Sequence, residues 1–482
     1  MKKLIKYVIF PLLIVTVALF AWFKYINDSG LGKNPPEPSQ TTLKDLSAVV
    51  LPACTDSLAT PKTDVTYYVA ANEPGANNER CDGLAPTNQG GGRCPFKDFT
   101  SANVREKLFF TADGGYGTKS VTVKVRKGTY FIHPLKLFPK EPVQPLLINA
   151  NGQSEAESVV LMNYNGEQAI LDGTCPASFK ECAAPRDPGR ILTLLEIYGS
   201  YVIVQGLTFD NVSQRNIQIG ANNTHIRCNH IKGAYGPNND SVKSATDEGP
   251  VYIYGNEFSG PFHQAVDATK AQDWILEKNI VHGGTKGFGF KFNARNVIVR
   301  NNHFYDLMEK GVDMGADGSS DHPYDYEAYN IRTENNVFER MGQTAAVIAH
   351  CSQCEFNNNT VSGAQVGIDF GQEHQGFPDG CRNGKGCMPS ANTKIFNNRF
   401  RNMKYPKINL NNAFISAESA RVSNLEASNN LYCVPQGEQP IFWRGGTFPQ
   451  DLIKSLAEWQ QKIGTDQGSH VVPASDPKCA NW

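Results

Sequence analysis

Short segments in which apolar and polar residues alternate recur through the second half of the chain, without a helical pattern between them. In "GFGFKFN", for example, Phe290 and Phe292 fall on one face of a predicted strand and Lys291 falls on the other. The reason is that successive side chains of a strand point to opposite faces. Such alternation predicts half-buried β-strands.

A motif of asparagine, any residue and an apolar residue follows these segments. Its apolar positions are Ile231, Phe258, Val281, Phe304, Phe338, Val361, Phe400 and Tyr432. The basic spacing is 22 to 23 residues, with insertions in some units. Two short strands per unit at this period predict an all-β fold, a parallel β-helix. Asn302 and its equivalents are then structural, because stacked asparagines hydrogen-bond along a solenoid and tolerate left-handed corners. A β-sandwich is the alternative, but it does not explain the fixed period.

Five segments are predicted: a signal anchor at 1–29, a linker at 30–63, an N-terminal cap with the start of the solenoid at 64–139, the β-helix at 140–435 and a C-terminal cap at 436–482. A solenoid must close both ends. Residues 101–110 have the pattern of an amphipathic capping helix. At the far end, Ser455 and Glu458 form a predicted capping box and Gly464 ends the helix. The side chains expected to cover the last coil are Leu456, Trp459 and Ile463.

The N-terminus has the features of an export signal. Three lysines precede an apolar run of 17 residues from Tyr7 to Phe23, and no small-x-small cleavage motif follows it. We therefore expect an uncleaved signal anchor in the cytoplasmic membrane, with the rest of the chain in the periplasm or outside the cell. A cleaved signal peptide is the alternative.

All twelve cysteines follow this predicted anchor, and an even number in an exported chain indicates disulfides. The pairs close in sequence are Cys81/Cys94, Cys175/Cys182, Cys351/Cys354 and Cys381/Cys387. At least four of the six disulfides that twelve cysteines allow are expected. The competing interpretation is zinc at the C-x-x-C of Cys351 and Cys354, but no second C-x-x-C follows at zinc-ribbon spacing.

The charge of the chain limits the kind of partner. The formal net charge is −1 over 482 residues, so no basic field favours nucleic acid. A charged partner would be bound locally, which is compatible with a polysaccharide. We expect a monomer.

Several segments resemble those of a known superfamily. The segments "TYYVAANEPG", "CPFKDF", "KGTYFI" and "NGEQAILDG" are similar to the start, and "YEAYNIRTENNVF" and "CSQCEFNNNTV" to the coils, of right-handed parallel β-helix proteins. This superfamily includes pectin, alginate and chondroitin lyases, and the resemblance covers about residues 65–435. It implies a right-handed solenoid in an exported, lyase-like protein. The D-P-H-D motif of β-helical mannuronan epimerases and the G-H-G and R-I-K set of polygalacturonases are not found, and "GFKF" is only loosely similar to the lysine-bearing strand of calcium-dependent pectate lyases.

Each predicted strand after the asparagine motif has an outward residue between two inward apolar residues. Aligned in this way, the outward residues are Gln218, Lys243, Asp267, Lys291, Asp313, Ile348 and Asp369. The alignment places Lys291 between Asp267 and Asp313, about 4.8 Å from each along the sheet. Asn293 and His350 fall two residues along the same face.

These residue types suit a lyase that acts on uronic acids. Such an enzyme neutralises the C5 carboxylate, removes the C5 proton and assists the O4 leaving group. We expect Asp267 and Asp313 to hold Ca²⁺ and Lys291 to be the base, with His350 as a further catalytic candidate. Two bare carboxylates would keep a lysine protonated, so this hypothesis requires the metal. The alternative is a ladder of alternating charges that supports solubility and register.

Two insertions, residues 315–327 and 371–387, follow the outward column directly. Long loops on a rigid scaffold often carry function, and these two are predicted to wall a groove. The predicted substrate-binding residues are Asn293, Lys243, Asp369, His322, His374 and Arg382. The alternative for each loop residue is an ordinary solvated position.

The sequence therefore predicts an exported, membrane-anchored enzyme that cleaves an acidic polysaccharide by β-elimination. A glycoside hydrolase is one alternative, since Asp267 and Asp313 would be about 9.6 Å apart at the backbone, near the separation of an inverting carboxylate pair. A glycan-binding or envelope-assembly protein without catalytic activity is the other.

Overall fold

The structure is a computed structural model that describes Cys54 and residues 61–480, except 112–116, 136–144, 176–186, 188, 237–238, 245–246, 248, 316–322, 371–386, 406–409, 412, 418–421 and 445–451. Among these described residues, no helix is long and apolar enough to cross a membrane. The predicted anchor and, apart from Cys54 and residues 61–63, the predicted linker lie outside the described residues.

The chain coils through three long sheets in turn, and neighbouring strands are parallel except at the C-terminal end. The first sheet, which precedes the repeated asparagine, contains Val65–Val69, Val121–Val125, Val159–Asn163, Val202–Gln205, Thr224–Arg227, Val251–Tyr254, Gln272–Glu277, Ala294–Arg300, Ala328–Glu334, Cys351–Ser352, Glu355–Asn357, Ser390–Ala391, Lys394–Phe396, Val422–Ser423 and Glu426–Ser428.

The second sheet, which follows the asparagine, contains Gly128–Phe131, Ala169–Asp172, Thr208–Asp210, His230–Lys232, Glu257–Ser259, Ile280–His282, His303–Tyr305, Val337–Glu339, Thr360–Ser362, Arg399–Arg401, Leu431–Val434 and His470–Pro473. The third sheet contains Leu146–Ile148, Thr193–Ile197, Arg215–Ile219, Asp240–Ser244, Gln264–Thr269, Lys286–Lys291, Lys310–Met314, Thr344–Ile348, Val366–Phe370, Ala413–Ala417, Ile441–Arg444 and the antiparallel Leu452–Ile453. A separate antiparallel pair is formed by Lys404–Tyr405 and Leu410–Asn411.

Each full coil thus passes through three sheets, whereas the sequence pattern predicts two strands per coil. The missing strand is the motif itself, because the apolar residue after the asparagine is the centre of a three-residue strand such as His303–Tyr305. Phe304 is fully buried in that strand and stacks on Phe338 of the next coil, with ring centroids 4.9 Å apart. The short strands therefore carry a column of buried apolar side chains, several of them aromatic, through the core.

The repeated asparagines form the ladder expected from the sequence. Asn302 donates through Nδ2 to the carbonyl oxygen of Leu276 and to Oδ1 of Asn336, both at 2.9 Å. Its own Oδ1 accepts from the backbone N–H and from Nδ2 of Asn279. The left-handed corner is made by the residue before, as at Asn301 with φ 58°. The ladder residues are Asn229, Asn256, Asn279, Asn302, Asn336, Asn359, Asn398 and Asn430.

The N-terminal end of the solenoid is covered by helix α1, Ala102–Phe109. Leu108 and Phe109 are fully buried, and the buried Arg105 donates from Nε to the carbonyl oxygen of Phe99 at 2.7 Å. Parallel strands already occur before this helix, since Val65–Val69 pairs with Val121–Val125. The sheets therefore begin before the predicted start of the β-helix at residue 140.

The C-terminal end is covered by helix α2, Leu456–Ile463, which begins and ends as predicted. Ser455 accepts from the backbone N–H of Glu458, and Gly464 closes the helix at φ 70°. Trp459 is fully buried and stacks on Phe442, with ring centroids 5.0 Å apart. The second sheet continues past residue 435 to His470–Pro473, which pairs with Leu431–Val434 and precedes the short helix α3, Pro477–Ala480.

Four disulfides connect described cysteines, namely Cys54–Cys228, Cys81–Cys94, Cys351–Cys354 and Cys433–Cys479. The expectation of at least four disulfides is met, and Cys351 and Cys354 bond to each other. Cys175 and Cys387 are also disulfide-bonded, while their predicted partners Cys182 and Cys381 lie outside the described residues.

Candidate functional site

The outward face of the third sheet carries polar residues in aligned columns. One column runs through Arg215, Asp240, Gln264, Lys286, Lys310 and Thr344. A second runs through Glu196, Gln218, Lys243, Asp267, Gly289, Asp313, Val347 and Asp369. The two columns are three residues apart because two consecutive residues between them, such as Ser241 and Val242, are both buried.

The structure corrects the predicted position of Lys291. Gly289, and not Lys291, aligns with Asp267 on one side and Asp313 on the other, while Lys291 aligns with Thr269. The inward aromatic pair of this strand is Phe288 and Phe290 rather than Phe290 and Phe292. The strand ends at Lys291 because the next residue, Phe292, adopts a left-handed conformation with φ 57°.

A shift of one residue is found in the strand Thr344–Ile348. Val347 aligns with Asp313 and Asp369, so it takes the column position predicted for Ile348. Ile348 aligns with Met314 and is fully buried. The predicted sharing of one column by Lys243, Asp267, Asp313 and Asp369 agrees with the register.

Lys291 nevertheless reaches Asp267, since their Nζ and Oδ1 atoms are 3.1 Å apart. Asp267 also binds Lys243, whose Nζ lies 2.6 Å from its Oδ2 and 2.8 Å from Oδ2 of Asp240. On the far side of Gly289, Nζ of Lys310 lies 3.3 Å from Oδ1 of Asp313. We refer to these residues as the ionic cluster: Asp240, Lys243, Asp267, Lys291, Lys310 and Asp313.

The ionic cluster is more buried than an ordinary surface ladder. Asp267 and Lys310 are each only 2 % exposed, whereas the Lys243 and Lys291 side chains retain 23 % and 17 %. Burial tends to lower the pKa of Lys243, but the charges of Asp267 and Asp240 outweigh it and raise this pKa. Lys243 therefore stays positively charged over the physiological range.

Asp240 is held ionised by its neighbours. Burial would raise its pKa, but the proximity of His263 and the charge of Lys243 bring the pKa below its ordinary value. Nδ1 of His263 lies 3.6 Å from Oδ1 of Asp240. The cluster thus combines fixed charges of both signs next to a strand position that has no side chain, Gly289.

The space above Gly289 is occupied by a neutral amide. A Cβ atom at position 289 would lie 1.8 Å from Nε2 of Gln264, so a side chain there would displace the Gln264 amide from this place. This amide lies between the coils of Asp267 and Asp313. It offers both a donor and an acceptor at the centre of the cluster.

Two other predicted residues lie at the corner after the strand rather than on its face. Asn293 has φ 67° and is 1 % exposed, and its backbone N–H donates to the carbonyl oxygen of Glu327 at 2.7 Å. His350 has φ 53°, and its Nδ1 lies 3.0 Å from the carbonyl oxygen of Met388. The predicted loop residues His322, His374 and Arg382 lie outside the described residues.

Three residues of the site were not identified from the sequence: Asp240, His263 and Lys310. A signal was present, because Asp240/Lys243 and Lys310/Asp313 are opposite charges three residues apart in predicted strands. A strict period of two places such residues on opposite faces. In the structure two consecutive residues, such as Ser241 and Val242, are buried between the charged ones. This extra buried residue places Asp240 and Lys243 on the same face.

The described residues fit calcium poorly. Ca²⁺ takes six to eight oxygen ligands in proteins. Asp267 is already bound by two ammonium groups and Asp313 by one, and their coils are separated by the strand of Gly289. Within the described part of the chain, no three His, Cys, Asp or Glu side chains are placed to hold a metal ion.

The comparisons with known proteins agree with the architecture. The family model described as "Right handed beta helix region" matches residues 217–375, which includes the whole ionic cluster. No curated protein matches the sequence.

Solved structures similar to the chain include three carbohydrate-active proteins. A mannuronic acid specific family 6 lyase from human gut microbiota has 12% identity and a TM-score of 0.47, covering 78% of this chain and 90% of its own. The A-module of an Azotobacter vinelandii mannuronan C-5 epimerase has 12% identity and a TM-score of 0.42, covering 75% and 92%. A Thermotoga maritima exopolygalacturonase has 12% identity and a TM-score of 0.43, covering 87% and 99%. Similarity at these levels carries no argument about chemistry. The three parallel sheets, together with the family model over residues 217–375, show that this chain has a right-handed parallel β-helix fold.

Proposed function

We propose that the protein is an exported enzyme that cleaves an acidic, uronic acid-containing polysaccharide by β-elimination, at the ionic cluster. The observation that supports this most is the sharing of the Asp267 carboxylate by two ammonium groups, those of Lys243 and Lys291. The cluster lies on a rigid sheet, where side chains are positioned more reliably than in loops.

The two lysines are suited to different tasks. Lys243 contacts both Asp240 and Asp267 and has a raised pKa, so it keeps its charge and can neutralise the carboxylate of a uronic acid. Lys291 shares Asp267 with that cation. Its Nζ lies 3.1 Å from Oδ1 of Asp267 on the outward side of the sheet. Lys291 is our candidate for the base that removes the C5 proton.

A hydrolase is less well supported. An inverting hydrolase needs one carboxylic acid that keeps its proton and one ionised carboxylate. Asp267 and Asp313 do lie two strands apart, but each already has an ammonium group within 3.3 Å. Both carboxyl groups are thus engaged in ion pairs on the sheet, and no second pair of carboxyl groups in the ionic cluster has the spacing of an inverting hydrolase.

The test is to incubate the protein with pectate, alginate and glycosaminoglycans, with and without a chelator. Unsaturated, ultraviolet-absorbing products indicate a lyase, new reducing ends without them indicate a hydrolase, and binding without products indicates a glycan-binding protein. Loss of activity with the chelator would support the predicted calcium. Retained activity would indicate that Lys243 and Lys291 act without a metal ion.

Two substitutions sharpen this test. Lys291→Ala should abolish turnover, and Lys291→Arg should also be inactive because a guanidinium keeps its proton at any working pH. The matched control is Lys286→Ala in the same strand, which removes an ion pair of 3.7 Å with Glu309 and should leave turnover intact. An active Lys291→Ala protein would show that Lys291 is not the base and would favour the alternative, a structural ladder of alternating charges.

The proposed location is outside the cytoplasm, with the N-terminal segment as a membrane anchor. The cysteines support this part of the proposal, because disulfides persist in oxidising compartments. Expression of a tagged protein followed by cell fractionation tests it, and recovery of the chain in the cytosol with free thiols would contradict it.

A further inference from the structure

Exposed apolar side chains line the corner that joins the second sheet to the third. In the part of the chain that the structure describes, seven large apolar side chains remain exposed, and three of them lie at this corner, namely Leu192, Tyr235 and Met308. Their relative exposures are 39 %, 42 % and 65 %. His263 lies at the same corner, and its side chain is 41 % exposed. We refer to these four residues as the corner row.

The members of the corner row take equivalent places in their coils. Each directly follows the last buried residue of its corner, and these buried residues are Ile191, Ala234, Phe262 and Leu307. Backbone hydrogen bonds connect the corners of neighbouring coils, as where the Tyr235 N–H donates to the carbonyl oxygen of Val212. The corner row therefore runs along the solenoid axis.

The corner row lies beside the ionic cluster because the same coils supply both. Tyr235 precedes Asp240 by five residues along the chain, and Met308 precedes Lys310 by two. Nδ1 of His263 lies 3.6 Å from Oδ1 of Asp240. Three strand spacings, or about 14 Å, separate Tyr235 from Met308. An apolar edge of this length thus borders the cluster over the coils that carry its charges.

One face of the Tyr235 ring is covered by a guanidinium. The Cζ atom of Arg190, two coils earlier, lies 4.4 Å from the ring centroid. Nη1 of Arg190 lies 3.1 Å from Oδ2 of Asp187, and this ion pair holds the guanidinium in place. The large exposed surface of Tyr235 therefore belongs to the opposite face and to the edge of the ring.

An apolar edge next to fixed cations is the arrangement expected for an acidic sugar chain. The C–H face of a sugar packs on an aromatic or apolar surface, while its carboxylate needs a cation such as Lys243. We propose that the corner row is the apolar edge of the substrate groove, and that the polysaccharide lies along the solenoid axis with successive sugars against Tyr235, His263 and Met308. This inference rests on the proposed function and adds the direction of the polymer and the residues that position it.

The test is calorimetric titration with galacturonate and mannuronate hexasaccharides, on the Lys291→Ala protein so that nothing is cleaved. Adding Tyr235→Ala should weaken hexasaccharide binding about three- to tenfold, from the value of an aromatic contact. Met308→Ala should weaken it by a smaller factor of about two to five, from the apolar area that is lost. The two factors should multiply in the double variant, because residues this far apart act independently.

Two further variants serve as controls. Tyr235→Phe keeps the ring and should retain most of the affinity. Phe131→Ala removes an aromatic side chain that is 47 % exposed on the second sheet, outside the coils of the ionic cluster, and should leave hexasaccharide affinity unchanged.

The outcomes separate the two proposals. Hexasaccharide affinity that neither Tyr235→Ala nor Met308→Ala changes overturns the role of the corner row, and the proposed function stands if the wild-type protein still yields unsaturated products. An effect of Tyr235→Ala without an effect of Met308→Ala overturns the axial direction, because a polymer that crosses the sheet along one coil contacts only one corner. If the wild-type protein neither binds nor cleaves any of the polymers, the proposed function fails and the role of the corner row fails with it.

Discussion

The two adjacent asparagines at the corner of Asn301 and Asn302 should respond in opposite ways to substitution. Asn302 makes four side-chain hydrogen bonds inside the solenoid and is 1 % exposed, whereas Asn301 is exposed and only supplies the left-handed φ of 58°. We therefore expect Asn302→Ala to be strongly destabilising and Asn301→Gly to be nearly neutral.

The magnitude follows from the groups that lose a partner. Asn302→Ala removes the partner of the Leu276 carbonyl, of the Asn279 backbone N–H and of one Nδ2 hydrogen of Asn279. At about 1–3 kcal/mol for each of these three buried groups left unsatisfied, the free energy of unfolding should fall by about 3–9 kcal/mol. Asn301→Ala should cost up to about 1–2 kcal/mol, because alanine lacks the local side-chain hydrogen bonding that lets asparagine tolerate the left-handed conformation, and Asn301→Gly should avoid this cost.

These differences can be measured by urea unfolding with the disulfides intact, monitored by circular dichroism. A shift of the urea midpoint at an unchanged m-value gives the change in the free energy of unfolding. Because each coil of a solenoid contacts only its neighbours, hydrogen exchange should show the loss of protection concentrated in the coils next to residue 302. Equal effects of Asn302→Ala and Asn301→Ala, or a loss below about 1 kcal/mol for the former, would refute the division of roles.

Two further predictions concern the first sheet and the C-terminal cap. Burial, aided by Arg227, lowers the pKa of His225 to about 4, below the value of about 6.5 in an unfolded chain, so stability should be complete above pH 6.5 and fall by up to about 3 kcal/mol as the pH drops towards 4. His225→Phe should flatten this slope in urea unfolding at several pH values, and an unchanged slope would contradict the assignment. Trp459→Ala should cost about 3–5 kcal/mol by removing the contact with Phe442, while Trp459→Phe should cost much less because it keeps a stacked ring; equal losses would contradict the role of the ring.

The features predicted correctly from the sequence are those that depend on local repetition. The asparagine period gives the coil length, and the ladder follows because each coil must repeat the same corner. Helix α2 was predictable because Ser455, Glu458 and Gly464 act on their own backbone neighbours. Long-range pairings such as Cys54–Cys228, 174 residues apart, leave no comparable signal.

The register of Lys291 could not be derived from alternation alone. In "GFGFKFN" every second residue from Phe288 to Phe292 is aromatic, so a shift of two residues preserves the pattern. The choice is made by the corner, where Phe292 and Asn293 both adopt positive φ and their N–H groups are bound by Glu327, 34 to 35 residues further along the chain. That contact crosses one of the two insertions and has no local signature.

Whether the ionic cluster is more than a charge ladder can be argued from the coil that follows it. The positions equivalent to Lys310 and Asp313 are Thr344 and Val347 in the next coil, and Val347 is 1 % exposed beside Ala349 in a small apolar cluster on the outer face. The same fold therefore accepts uncharged side chains at these positions. Replacing a buried ion pair by apolar residues is often neutral or stabilising, so stability gives no reason to retain several buried charges in four consecutive coils. A recognition or catalytic role supplies that reason, and it predicts that Lys310→Met combined with Asp313→Leu should preserve the fold while impairing the binding of an acidic polymer.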